Sequence, residues 1–149
     1  MLSYTYELFK ERSDILALWQ NKYKYILIDE FQDINRLQYE IIKMLAAPQN
    51  NLFIVGDDDQ SIYRFRGSKP EIMLGFEKDY PDAKRILLDT NYRCGRYIVE
   101  ASLNLISHNR ERFDKKIIAA SKSKAPVTFA DFENRRDENI LPIRDRNKK

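Results

Sequence analysis

Residues 29–33, DEFQD, place two carboxylates, a carboxamide and a third carboxylate directly behind the apolar run ILI. Acids this close repel one another and lose hydration on burial. Either the strand simply surfaces into a polar turn, or something cationic sits there. An Asp followed by a Glu at that point could hold Mg²⁺ and polarise an attacking water, the pairing that phosphoryl-transfer sites use. Residues 55–68, VGDDDQSIYRFRGS, add three consecutive acids, then Gln60, then Tyr63, Arg64, Phe65 and Arg66. Asp57, Asp58 and Asp59 need a cation or basic groups nearby unless all three point into water. Gln60 is neutral, donates and accepts, and so suits reading a phosphate or orienting a water. Aromatic rings interleaved with guanidiniums are what a groove for single-stranded nucleic acid requires; equally, Tyr63 and Phe65 could be core residues of a short turn. Residues 87–94, LLDTNYRC, offer Tyr92 for stacking on a planar ring and Arg93 for a phosphate. The plainer alternative is a surface arginine at the start of a helix.

The elements that must position these groups follow from periodicity. Residues 4–20 carry Leu8, Phe9, Ile15, Leu16 and Trp19 at mostly helical spacing, which predicts one or two short helices. YILI at 25–28 is a short continuous apolar run, as in a strand covered on both faces. RLQYEIIKMLAA at 36–47 puts Leu37, Ile41, Ile42 and Leu45 on one helical stripe, with Asn35 as its cap. NLFIV at 51–55 reads as a second strand, and PEIMLGFEKDY at 70–80 as a helix opening on Pro70. RILL at 85–88 reads as a third strand, RYIVEASLNLISHN at 96–109 as a helix, and PVTFA at 126–130 as a fourth strand. Such alternation predicts an α/β fold with parallel pairing and right-handed crossovers. Binding crevices in these sheets lie beyond the carboxyl ends of the strands, and all three polar segments follow a strand.

Bulk composition narrows the class. With 43% hydrophobic and 33% charged residues the chain can bury a core as a globular protein. No apolar stretch approaches the roughly 18 residues of a membrane span, and MLSYTYELFKER lacks a signal peptide's basic start and apolar middle. The expected setting is therefore the cytoplasm, away from membranes. One Cys and one His exclude an internal disulfide and a zinc site built from this chain. Up to His108 there are 14 basic against 16 acidic residues, and from Asn109 onward 12 against 7. The basic end is compatible with nucleic acid, and equally with a solvated surface.

Together the three segments resemble the superfamily 1 DNA helicases of the UvrD/Rep/PcrA type. DEFQD looks like their motif II, VGDDDQSIYRFRGS like motif III, and LLDTNYR like motif IV; the resemblance extends to about Ala130. It implies a partial RecA-like P-loop NTPase fold that couples ATP hydrolysis to 3′→5′ travel along single-stranded DNA. By resemblance, Asp29 coordinates Mg²⁺, Glu30 activates water, and Gln60 senses the γ-phosphate. Tyr63 and Phe65 would stack on bases, with Arg66 supporting the DNA contact. Tyr92 would pack on adenine, and Arg93 would act as an arginine finger, facing the same ATP across a cleft between domains. The family's organisation places residues 1–82 in the rear half of the first RecA-like domain and 83–133 at the start of the second. RILL then belongs to a different sheet from the first two strands. Residues 134–149 form a charged tail expected to be poorly ordered.

Departures from the family pattern are specific. The sequence holds no GxxxxGK[ST]; its glycines are Gly56, Gly67, Gly75 and Gly95, and none precedes Lys-Ser or Lys-Thr. Without that loop there is no nest of backbone N–H groups and no lysine for the β- and γ-phosphates. Motifs V and VI are absent as well, so the chain is expected to be a slice of a helicase, inactive without the remaining domains. Cys94 stands where the family carries a small hydroxyl residue, and is a near-isostere of serine. The alternative function is a non-catalytic module that binds single-stranded nucleic acid or another protein.

Overall fold

A computed structural model describes residues 1–63, 65, 67–121, 123 and 131–132. The chain divides into two compact units, Met1–Leu87 with Ile106–Lys115, and Leu88–Leu105 with Lys116–Lys149. The mixed helices and parallel strands make an α/β fold.

In the first unit, helices α1 (Leu2–Glu11) and α2 (Ser13–Lys22) precede strand β1 (Ile26–Ile28). A 3₁₀ turn at Phe31–Asp33 leads into helix α3 (Arg36–Ala46), followed by strand β2 (Leu52–Ile54). A second 3₁₀ turn, Asp58–Gln60, precedes two short helices, α4 (Pro70–Leu74) and α5 (Phe76–Asp79). The start of α3 is fixed by a capping box: Asn35 Oδ1 accepts from Gln38 N at 3.0 Å, and Gln38 Oε1 accepts from Asn35 N at 2.8 Å. Two orphan amides are thereby satisfied without water. Pro70 opens α4, as expected, but the helix read over 70–80 breaks at Gly75, the cap of both α4 and α5. Glycine interrupts a helix cheaply because it gives up the most backbone freedom to join one.

Strands β1 and β2 pair in parallel, with Leu27 opposite Phe53 and Ile28 opposite Ile54. Ile28 and Ile54 pack against a core of Phe31, Ile34, Tyr39 and Ile72. Phe31, 1% exposed, meets Tyr39 and Phe76 edge to face at centroid distances of 5.9 and 5.6 Å. The Tyr39 hydroxyl donates to Asp79 at 2.8 Å; burial and that carboxylate both push its pKa up. The expectation that β1 is covered on both faces is corrected. Leu27 and Phe53, side by side on the far face, are 71% and 58% exposed. Only one face meets the helices among the described residues.

The second unit contains strand β3 (Thr90–Gly95), helix α6 (Arg96–Ile106) and strand β4 (Ile118–Ser121). β3 and β4 pair in parallel from Thr90↔Ile118 to Gly95↔Ser121, with an irregularity between Asn91 and Gly95. There the Asn91 carboxamide oxygen accepts from the amides of Arg93 and Cys94 at 2.9 and 2.8 Å. RILL is not a strand: residues 84–89 have no regular structure, and Ile86 and Leu88 are about four-fifths exposed. The third strand falls instead on the segment read as the loop after it. β4 lies in a stretch where no strand was expected. PVTFA and the tail 134–149 lie outside the described residues. None of the helices described is long and apolar enough to cross a membrane.

Replacing Asn35 by Ala removes the side-chain half of the capping box and is expected to lower stability by about 1 kcal/mol. Asn35→Ser should retain most of it. Urea midpoints for the two variants provide the measurement, and equal midpoints would mean that the cap contributes nothing.

Candidate functional site

Parallel pairing brings the carboxyl ends of β1 and β2 to one edge. The chain leaves β1 through Asp29 and turns at Glu30, whose φ of 50° and ψ of 43° are left-handed. A residue with a Cβ adopts that conformation only at a cost of roughly 1 kcal/mol. The turn is held by Phe31 N, which donates to Val55 O at 2.9 Å, and by burial of the Phe31 ring behind it. Asp29 Oδ1 accepts from Glu30 N at 2.9 Å. Both acids are exposed.

Gln32 lies at the centre. It is 2% exposed and uses both ends of its carboxamide. Its Nε2 donates to Glu30 Oε2 at 2.7 Å, and its Oε1 accepts from Asp57 N at 3.0 Å. One buried side chain therefore ties the acid after β1 to the backbone after β2. Gly56 makes room for it: a Cβ there would sit 2.6 Å from Gln32 Oε1, 3.1 Å from Phe31 N and 3.2 Å from Met73 Sδ. Asp57 continues the chain of bonds, its Oδ2 accepting from Gln60 Nε2 at 2.9 Å while Gln60 N donates to Asp57 O. Glu30 and Gln60 thus lie on one edge and are joined through Gln32 and Asp57. Asp33 is not part of this linkage; its Oδ1 is buried without a hydrogen-bond partner among the described residues.

The three acids at 57–59 do find cations. Lys115, with a side chain 7% exposed, reaches all three: Asp57 Oδ1 at 2.6 Å, Asp58 Oδ1 at 2.5 Å and Asp59 Oδ2 at 3.0 Å. Arg112 grips Asp59 with two parallel bonds of 2.8 and 2.7 Å, the strongest common form of charge-assisted pairing. Asp58, 5% exposed, also accepts from Phe113 N at 2.8 Å. Burial alone would raise Asp57, but the bonds from Lys115 and Gln60 outweigh it and hold the carboxyl below its ordinary value. Asp59 is lowered chiefly by Arg112, against burial. Burial would lower Lys115, yet its three carboxylates keep it raised. Sequence reading missed Gln32, Arg112 and Lys115. Gln32 sat inside a segment read for its acids, and the two cations lie more than fifty residues away in what looked like an ordinary basic stretch.

The remaining candidates are more dispersed. Tyr63 and Phe65 are exposed, Phe65 at 77%, with ring centroids 5.9 Å apart and planes tilted by 54°. Arg66 lies outside the described residues. Tyr92 and Arg93 sit in β3 of the second unit, both exposed, Tyr92 at 82%. No group of three or more metal-ligating side chains occurs among the described residues. Mg²⁺ does not ask for one, since it is bound by one or two carboxylates with substrate phosphates and water. Asp29, exposed at a strand end, fits that donor set.

Residues 1–81 match the UvrD/REP helicase N-terminal domain. The chain is 48% identical over 142 residues to a Bacillus subtilis protein named "Putative ATP-dependent DNA helicase YjcD", covering 95% of this chain and 19% of that one. It is 42% identical over 135 residues to the "Probable DNA helicase II homolog" of Mycoplasma capricolum, covering 91% and 19%. To the ATP-dependent DNA helicase PcrA of Staphylococcus aureus it is 40% identical over 141 residues, covering 95% and 19%. The chain spans about a fifth of the length of these curated relatives.

Gly56→Ala should cost about 1–3 kcal/mol by forcing Gln32 off its two partners. Chemical denaturation reads the loss, and the Gln32 side-chain amide resonance should move with it. The acidic cluster has its own pH signature. Asp57 and Asp59 lie below their ordinary 3.8, so their contribution is complete above that value and fades as pH falls further. Lys115 lies above its ordinary 10.5, so its contribution is complete below that value and fades at higher pH. The Gln60 side-chain amide shift, which reports on Asp57, should stay constant between about pH 5 and 9 and move below about pH 4.

Proposed function

Since the chain belongs to the UvrD/REP helicase family, we propose that it forms part of an ATP-dependent DNA helicase of the cytoplasm. In that enzyme, hydrolysis drives 3′→5′ travel along single-stranded DNA. The observation that carries this reading is the bonded series Glu30, Gln32, Asp57, Gln60 at the carboxyl ends of neighbouring parallel strands. That edge is where α/β sheets bind ligands, and the series would supply a base and a neutral phosphate reader together.

Glu30 would take the proton of the attacking water. Gln32 occupies one of its carboxylate oxygens, which fixes the group's orientation and leaves the other oxygen for that water. Asp29 would hold Mg²⁺, which when bound neutralises charge on the β- and γ-phosphate oxygens. Gln60 would exchange its bond to Asp57 for one to the γ-phosphate. Arg93 would offset charge that grows in the transition state, and Tyr92 would pack on the adenine. Tyr63 and Phe65, with Arg66, would form a stacking platform for bases beside a cation.

Two observations support reading these residues as working with further polypeptide. No phosphate loop of the GxxxxGK[ST] type is present in the sequence, and the Leu27–Phe53 face of the β1–β2 pair is exposed. The first of these also favours a second reading, a module that binds single-stranded nucleic acid without catalysis.

Titration of the chain with Mg-ATP should show no micromolar binding and no hydrolysis. A single-stranded oligonucleotide should bind weakly, with affinity falling as salt rises. The triple variant Tyr63→Ala, Phe65→Ala, Arg66→Ala should lose about tenfold or more, since each stacked base is worth roughly 1–3 kcal/mol. Micromolar ATP affinity would overturn the account of the nucleotide site. Oligonucleotide binding that ignores the triple change would overturn the DNA assignment.

A further inference from the structure

Residues Ile106–Lys115 count with the first unit, although the chain on either side of them belongs to the second. This strap is fastened at its far end. Arg112 pairs with Asp59, the Phe113 amide donates to Asp58, and Lys115 enters among all three acids. Behind it, Arg85 lies over the Phe113 ring at 4.8 Å. Three side chains of this cluster are almost removed from water: Asp58 at 2%, Lys115 at 7% and Arg112 at 15%. A pair screened so little is a specific attachment, unlike the exposed Arg12–Asp14 and Arg96–Glu100 pairs elsewhere in the chain.

The division of one carboxylate gives the strap a consequence at the site. Asp57 Oδ1 accepts from Lys115 at 2.6 Å, while Asp57 Oδ2 accepts from Gln60 Nε2 at 2.9 Å. The same residue's backbone carbonyl receives Gln60 N, and its Oδ1 also receives Asp59 N at 3.2 Å. Lys115 thus holds in place the group that aims the Gln60 amide. We propose that Lys115, backed by Arg112, is a positioning residue for Gln60 acting through Asp57, so that the glutamine and the strap are energetically linked. The inference rests on the helicase reading for its purpose. There, a phosphate that draws Gln60 away from Asp57 would alter the hold on a segment that runs on into β4. Linkage of this kind is reciprocal, and both directions can be read.

The test uses the chain in ¹⁵N-labelled form without nucleotide, so its outcome does not depend on whether Gln60 meets a phosphate. The ATP and oligonucleotide titrations judge that separately. In Lys115→Met the Gln60 side-chain amide resonance should move to the position of a solvated glutamine. Exchange of the Asp59 and Gln60 backbone amides should rise about tenfold or more. The Gln32 side-chain amide should remain unmoved, and Lys115→Arg should restore the Gln60 signal. In the reverse direction Gln60→Ala, a change at an exposed side chain, should speed exchange of the Phe113 amide several-fold. Should Lys115→Met fail to fold, the Gln60→Ala arm decides alone. A Gln60 resonance indifferent to Lys115→Met, or a Phe113 amide indifferent to Gln60→Ala, overturns the proposal.

Discussion

The first unit depends on how two parallel strands end. Each strand finishes with backbone groups its neighbour no longer pairs and with acids that cannot be buried alone. Gln32 answers both needs by giving its N–H to Glu30 and its carbonyl to the Asp57 amide. A buried carboxamide with either end unpaired would cost about 1–3 kcal/mol, so the arrangement works only when both strand exits are in register. Gly56 follows from it, since no side chain fits where the carboxamide lies. So does the strained Glu30, because the left-handed turn is what lets Phe31 reach both the Val55 carbonyl and the core.

Charge sets the second constraint. Three successive aspartates at the exit of β2 would repel one another and resist burial, yet Asp58 is buried. Lys115 and Arg112 resolve this by bringing two cations to three carboxylates, with the Phe113 amide and Gln60 taking up further oxygens. Removing one member of such a buried cluster strands the others, at a typical cost of roughly 3–5 kcal/mol. The acidic turn and a segment fifty residues later are therefore a single structural feature. Neither is intelligible by itself.

What could be read from the sequence divides along the same line. Local signals were sound: the Asn35 cap, Pro70 at a helix start, the apolar runs of β1 and β2, and polar groups at the strand exits all depend on near neighbours. RILL failed because its apolar side chains stay exposed, while strand pairing went to Thr90–Gly95, whose polar residues gave no hydrophobic signal. Coverage of β1 failed because a continuous apolar run does not say whether both faces have partners. The cations for Asp57–Asp59 could be demanded from the repulsion of the acids, but not located. Lys115 is one of 26 basic residues and has no periodicity or motif to mark it.

The two glutamines show why burial, and not residue type, assigns their roles. Gln32 and Gln60 carry the same carboxamide and both belong to one bonded series. Gln32 is enclosed with each end taken, so breaking either bond leaves a polar atom facing protein, and the side chain is confined to holding the strand exits together. Gln60 is exposed, and its bond to Asp57 competes with water. Such a bond is worth only about 0.5–1.5 kcal/mol net, or somewhat more to a charged acceptor. It can be exchanged for a bond to a phosphate oxygen without disturbing the core. A reader of phosphate has to be replaceable in its resting contacts, and the support beneath it must not be. Under the proposed reading, exposed Gln60 meets the first requirement and buried Gln32 the second.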